Sequence, residues 1–292
     1  MEDLLIFFIW FILWTGSIIG IGAGVFKALK IQPLPDHRIF EYGITGFIII
    51  ILIVGILNFI IPIGWLLSII IMVGGLIAFF RIYSVRTLFQ VSILKYYIAI
   101  TLIFGTILIW FHPVHDTGGY HLVAINWIVS QPIPFGLANL YSRLGFNTTW
   151  FLTNACLDQL VFLFHRPMFI TNGVVLFLYF SSIIKIFEYG IQVNYKKTFG
   201  YLIQIKRIIS SFSAGDLFLV LSIFPAIDIT RRFVSTASPD MPVFFFEIII
   251  ISICLNVVCR KYTNSFLTHA LWLLSLIGVL IITIKTSAFP IL

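Results

Sequence analysis

Long apolar runs separated by short polar ones set the pattern of this chain. A membrane-crossing helix needs about 20 mainly apolar residues. The first such run goes from Leu4 to about Val25, behind Glu2 and Asp3, and reads as a retained span because no basic segment precedes it. Further spans are predicted over Gly43–Ile61, Trp65–Phe80 and Tyr96–Phe111, and over Phe169–Phe187, Ile208–Ile227, Val243–Val258 and Phe266–Ile284. Phe151–Phe164 is apolar but short, holds Asp158, and reads as a re-entrant or surface-lying helix. Two polar stretches interrupt the series, His112–Trp150 and Asp228–Pro242. The first interleaves aromatics and aliphatics with its polar residues, which argues against a disordered tether.

Composition agrees. The 292 residues are 60% hydrophobic and 10% charged, against about 25% charged for a soluble domain. The fold class is therefore all-α, a polytopic transmembrane bundle of about eight spans, or nine if Phe151–Phe164 crosses, with membrane-surface helices in the large external loop. The formal charge of +7 belongs to helix ends and to membrane lipids as partners, not to nucleic acid. Cys156, Cys254 and Cys259 lie in apolar stretches and read as small buried hydrophobes. No internal repeat is visible.

Charge orients the bundle. With Phe151–Phe164 not crossing, 13 of the 18 basic residues share one side, among them Lys27, Lys30, Arg38, Arg81 and Arg86. The other side holds Arg143, Arg166, Arg231, Arg232 and Lys285. If the short segment crosses, the split becomes about 10 to 8. The positive-inside tendency favours the first arrangement. Both polar stretches then lie outside, where Asp116, Arg143, Arg231, Arg232 and Asp240 can meet.

Asp116 follows the fourth predicted span and precedes Gly118 and Gly119, which permit backbone conformations that aim the carboxylate back over the membrane surface. It suits a general base. It equally suits the N-cap of a helix starting near Gly118. His112, His115 and His121 raise a metal question without a recognised metal signature. Arg143 binds phosphate well, or snorkels to headgroups. The Arg231–Arg232 pair either meets a lipid phosphate or marks a point where the topology is inverted. Asp240 stands at the edge of a span. Asp158, Asp216 and Glu188 lie in or beside spans, where carboxylates mark proton paths or ion pairs.

The chain resembles the polytopic glycosyltransferases of the GT-C superfamily, the class of the dolichyl-phosphate-mannose-protein mannosyltransferases, and closest an uncharacterised bacterial group of that type. The resemblance covers roughly residues 94–292. It rests on His115-Asp116-Thr117-Gly118-Gly119-Tyr120-His121, on the segment Pro134 to Asn147, and on Ser238-Pro239-Asp240-Met241-Pro242. It divides the chain into a three-span segment, 1–90, and a GT-C-like module, 91–292, with external loops 112–150 and 228–242. It implies transfer of a sugar from a polyprenyl-phosphate-linked donor to an envelope glycan, lipid or protein acceptor. The setting would be the outer face of a bacterial inner membrane. By position Asp116 is the base. Arg143, Arg231 and Arg232 would hold phosphate, and Tyr120, His121, Asn139 and Asn147 would touch sugar or acceptor. Asp240 would take a divalent metal, Mg or Mn, where one is used. The chain stops after the eighth predicted span, which implies a short form of the class. Two other readings stand beside this one. An oligosaccharide polymerase or ligase would use the same external residues. A transporter or flippase would turn Asp158, Asp216 and Glu188 to one midplane cavity.

Overall fold

A computed structural model describes residues 2–33, 38–82, 115–134, 136–145, 148–164, 169–194, 212–259 and 264–285. Among these residues the protein is helical, with no strand. Three long helices come first: α1 (Glu2–Leu29), α2 (Arg38–Leu57) and α3 (Trp65–Ile82). A π-helical turn (Thr117–His121) leads into α4 (Leu122–Ser130), then α5 (Leu137–Leu140) and a 3-10 turn (Ser142–Gly145). Two short helices, α6 (Trp150–Leu157) and α7 (Gln159–Phe164), precede α8 (Ile170–Asn194). The remainder comprises α9 (Ala214–Leu221), α10 (Ile223–Phe233), α11 (Asp240–Cys259) and α12 (Asn264–Ile284).

Among the described residues, five helices are long and apolar enough to cross a membrane: Leu5–Leu29 of α1, α2, α3, α11, and Leu267–Ile284 of α12. This is the build of an integral membrane protein. α8 adds a shorter apolar stretch, Ile170–Ile184. The predicted span Tyr96–Phe111 lies outside the described residues. The predicted span Ile208–Ile227 is described only from Phe212 onward. Its described part is two helices, α9 and α10, that meet at Ser222. Pro225 has no N–H to give the Leu221 carbonyl, so the helical ladder breaks there. The stretch Asp228–Pro242, expected to be a polar loop, is half helix, because α10 runs on to Phe233.

Helices in lipid gain little from apolar contact with one another, so close backbone approach and polar contacts must hold them. The first three helices use glycine for this. A Cβ on Gly22 would collide with the Tyr42 carbonyl, one on Gly46 with the Ile18 carbonyl, and one on Gly75 with Ser17. Buried aromatics fill the next layer: Phe11 meets Phe177 edge-on at 6.5 Å, and Phe47 meets Trp150 at 5.9 Å. One hydrophobic core runs from Phe7 to Ile284 and includes residues of the first three helices and the last two. The outer face of α3 (Trp65, Leu66, Ile70, Ile77, Phe80) stays exposed, as a lipid-facing surface does. Cys156 is buried as expected, whereas Cys254 and Cys259 are exposed on α11.

Hydrogen bonds gather the polar segments at one end of the bundle. The turn between α2 and α3 receives α4, with Ile63 N–H donating to Ile128 O at 2.9 Å and Ile133 N–H to Asn58 O at 2.8 Å. Gln159 Nε2 reaches Ile63 O at 2.9 Å. Thr149 N–H donates to Thr283 O at 3.1 Å, and Thr148 bonds the Ile284 carbonyl, so the loop closes the C-terminus of α12. Asn172 Nδ2 binds Phe233 O and Thr236 O, both at 2.9 Å, joining α8 to the end of α10. At the opposite end α1 stops at a left-handed Lys30 (φ 56°). Ile31 N–H returns there to Phe26 O at 3.0 Å, the hydrogen-bond pattern that closes a helix C-terminus. Glu41 of α2, fully buried, meets His269 of α12 at 3.0 Å near that end.

Candidate functional site

Asp116 stands at the N-terminus of the π turn, with helical dihedrals (φ −63°, ψ −30°) and no capping bond from its side chain. The capping role is therefore not the one it fills. Its carboxylate faces Arg143 Nη1 at 3.8 Å instead, with both side chains about half exposed (55% and 52%). The guanidinium carbon of Arg143 lies 5.6 Å from the Tyr120 ring centroid. Arg143 reaches this position from the 3-10 turn, which follows Gly136, a residue at φ +87° that a side chain would strain. The expectation that Gly118 and Gly119 supply unusual backbone angles is corrected. Both sit in the π turn, and Gly136 is the described glycine with positive φ. Gly118 contributes room: a Cβ there would meet nothing within 4 Å.

Beneath this rim lies a buried layer. His121 is 4% exposed, against the Tyr120 ring at 4.3 Å and the Phe151 ring at 5.2 Å. Burial drives its pKa down to about 4, although Asp116 and Asp240 both push it upward. The ring is therefore neutral near pH 7. The Tyr120 hydroxyl is raised, first by burial, then by the charge of Asp116, with Arg143 opposing and Asp240 adding a smaller upward push. Asp240 thus acts on the same residues as Asp116, although it comes from the other polar stretch.

Asp240 opens α11. Ser238 Oγ donates to its Oδ2 at 2.9 Å, and Lys285, just past α12, binds its Oδ1. The sequence reading named Asp240 but missed Lys285. The signal was present, because Lys285 is one of the few cations on the sparsely basic side, the same argument that singled out Arg143. Two turns along α11, Glu247 Oε1 is buried without a hydrogen bond, and the charge of Lys285 reaches it.

Other expected residues fall elsewhere. Arg232 forks onto Asp228 of its own helix, Nη2 to Oδ2 at 3.1 Å and Nε to Oδ1 at 3.2 Å. Arg231 is exposed on the last turn of α10. Asn139 is exposed on α5, its backbone N–H bonded to Gly136 O at 2.9 Å. Asn147 and His112 lie outside the described residues, as does the Glu188 side chain. His115 is exposed beside Asp116.

Two of the three carboxylates suspected in or beside spans are helix caps. Asp158 Oδ1 accepts from Ile170 N–H at 2.6 Å and Thr171 N–H at 3.0 Å, and Thr171 Oγ1 donates to Oδ2 at 2.8 Å. It closes the N-terminus of α8 from a distant segment. Asp216 forms a capping box with Ser213 at the start of α9.

For a metal, the donors present do not fit. No group of three or more His, Cys, Asp or Glu among the described residues is placed to hold one. Asp240 and Asp116 each face a cation instead. What the arrangement offers is an exposed carboxylate–guanidinium pair above a neutral, buried polar layer.

Comparison with known families places the chain. It belongs to the family described as a domain of unknown function, DUF8201, which matches residues 4–292. No curated protein and no solved structure matches it.

Proposed function

We propose that this protein is a GT-C-like membrane glycosyltransferase. It moves a sugar from a polyprenyl-phosphate-linked donor to an envelope glycan, lipid or protein acceptor at the outer face of a bacterial inner membrane. The observation that carries the reading is Asp116. It lies in helical backbone without a capping bond and faces Arg143 across an exposed rim. In the proposed reaction the Asp116 carboxylate takes the proton of the acceptor hydroxyl. The acceptor oxygen attacks the anomeric carbon, the bond from that carbon to the phosphate oxygen breaks, and the lipid phosphate leaves with the electron pair. Arg143 holds the leaving phosphate, which a guanidinium does well because its donors fork and its charge is permanent. No step needs a metal.

Sidedness follows from charge. Lys27, Lys30, Arg38 and Arg81 lie at the end of the bundle away from Asp116, and the positive-inside tendency makes that end cytoplasmic. The eight-span count, with Tyr96–Phe111 as one of the eight, belongs to this proposal. The capping roles of Asp158 and Asp216 weigh against transport, which would need those carboxylates turned to a shared cavity.

The test is Asp116→Asn in purified, folded protein, with a polyprenyl-phosphate hexose as donor. Removing a general base lowers turnover by about 10²–10⁴-fold. Undiminished transfer by the variant would overturn the mechanism.

A further inference from the structure

The layer beneath the Asp116–Arg143 rim contains two polar atoms that the protein itself does not satisfy. Thr117 is fully buried, and its Oγ1 has no hydrogen-bond partner. His121, 4% exposed, leaves Nδ1 buried and equally without one. Buried polar groups in folded proteins are nearly always paired, because desolvation without a partner costs more than the bond returns. Two other buried threonines find a carbonyl one turn back, Thr15 on Phe11 at 2.8 Å and Thr153 on Thr149 at 3.3 Å. Thr117 does not.

The two orphans are related by the turn they share. Leu122 N–H bonds Thr117 O, five residues back, which makes the turn a π turn. Such widened turns recur at functional sites. Thr117 and His121 stand one turn apart on it, directly after Asp116. The Tyr120 and Phe151 rings flank His121, and open space lies beside Gly118.

We infer that Thr117 Oγ1 and His121 Nδ1 form a hydroxyl-binding subsite for the sugar ring whose phosphate Arg143 holds. This rests on the glycosyltransferase reading and deepens it. The chemistry selects hydroxyls over charged groups. A threonine hydroxyl both donates and accepts, and a neutral imidazole nitrogen does one or the other. Two adjacent sugar hydroxyls can satisfy both. A carboxylate or phosphate would be less suited here, since burial holds His121 neutral and the charges that act on it are those of Asp116 and Asp240. The rim would then take the phosphate, and the layer below would read the sugar.

The experiment compares two probes on the detergent-solubilised full chain: a short-chain polyprenyl phosphate, and the same lipid phosphate carrying a hexose. Wild-type protein binds the hexose-bearing probe more tightly. Thr117→Val and His121→Phe each weaken that probe by about tenfold, the size of one lost hydrogen bond, and leave the bare phosphate unchanged. Thr117→Ser keeps the hydroxyl and the preference. Without ligand, Thr117→Val unfolds at the wild-type temperature or above, because it removes an unsatisfied hydroxyl. A purely structural Thr117 would not give that combination. If wild type binds both probes equally, or if both variants keep the preference, the subsite is overturned and the glycosyltransferase reading stands. If wild type binds neither probe, both fall together.

Discussion

Asp158 gives a prediction that can be worked from the structure. Its carboxylate closes the first turn of α8 with bonds from Ile170 N–H, Thr171 N–H and the Thr171 hydroxyl. Burial nevertheless raises its pKa to about 7, with the Thr171 and Ile170 bonds pulling the other way. The unfolded chain titrates near the ordinary value of 3.8. A raised folded pKa contributes stability that is fully present below the unfolded value and is lost as pH rises through the folded one. Between about pH 4 and pH 7 the folded state binds a proton that the unfolded state has released. Stability therefore falls by about 1.4 kcal/mol per pH unit from this group, or about 4 kcal/mol over the window. Asn at this position keeps one acceptor oxygen and cannot ionise. Asp158→Asn should therefore remove that part of the pH dependence. Asp158→Ala should lose the cap at every pH, by about 0.5–2 kcal/mol. The assay is thermal unfolding of the solubilised protein from pH 4 to pH 8. The readout is the difference between wild type and Asp158→Asn, so that other carboxylates cancel. If that difference is flat with pH, the buried carboxyl does not titrate as argued. If Asp158→Ala unfolds with wild type, Asp158 is not a cap.

Two further outcomes follow from backbone geometry. Gly136→Ala places a side chain at φ +87°, with its Cβ 3.3 Å from Asn139 Nδ2, at a cost of about 1–2 kcal/mol. It should lower both melting temperature and turnover, because this turn delivers Arg143, while Gly118→Ala should leave melting unchanged or slightly raised. Lys30→Gly relieves the left-handed residue that ends α1 and should stabilise by about 1 kcal/mol, read as a small rise in melting temperature with unchanged turnover.

The long helices were legible because each apolar run that became α1, α3, α11 or α12 exceeds what chance or a soluble core provides. What stayed hidden was non-local. Glu41 lies just before the predicted span Gly43–Ile61, yet it is buried against His269, 228 positions away. Asp158 looked like an intramembrane functional carboxylate because its partners, Ile170 and Thr171, lie beyond the next polar interruption. Asp216 is different. Its Ser213-x-x-Asp216 spacing is a capping signal, obscured by drawing an unbroken span from Ile208. Pro225, which removes a backbone donor just after the junction of α9 and α10, was equally visible. At the site the sequence supplied Asp116 and Arg143 but could not pair them, and periodicity carries no information about which side chains are left unsatisfied at depth.

That last distinction separates the carboxylates. Asp158 and Asp216 are occupied at helix ends, Asp240 is held by Ser238 and Lys285, and Glu41 is packed against His269. Each has an architectural use that its loss would expose. Asp116 has only an exposed pair at 3.8 Å, a contact worth about 0–1 kcal/mol. Stability does not explain a carboxylate and a guanidinium brought together from two separate turns, one of them set by a left-handed glycine. A chemical task does. The two explanations part in one measurement, since Asp116→Asn should melt with the wild type while its transfer activity collapses. A variant that loses both in proportion would make Asp116 one more structural carboxylate.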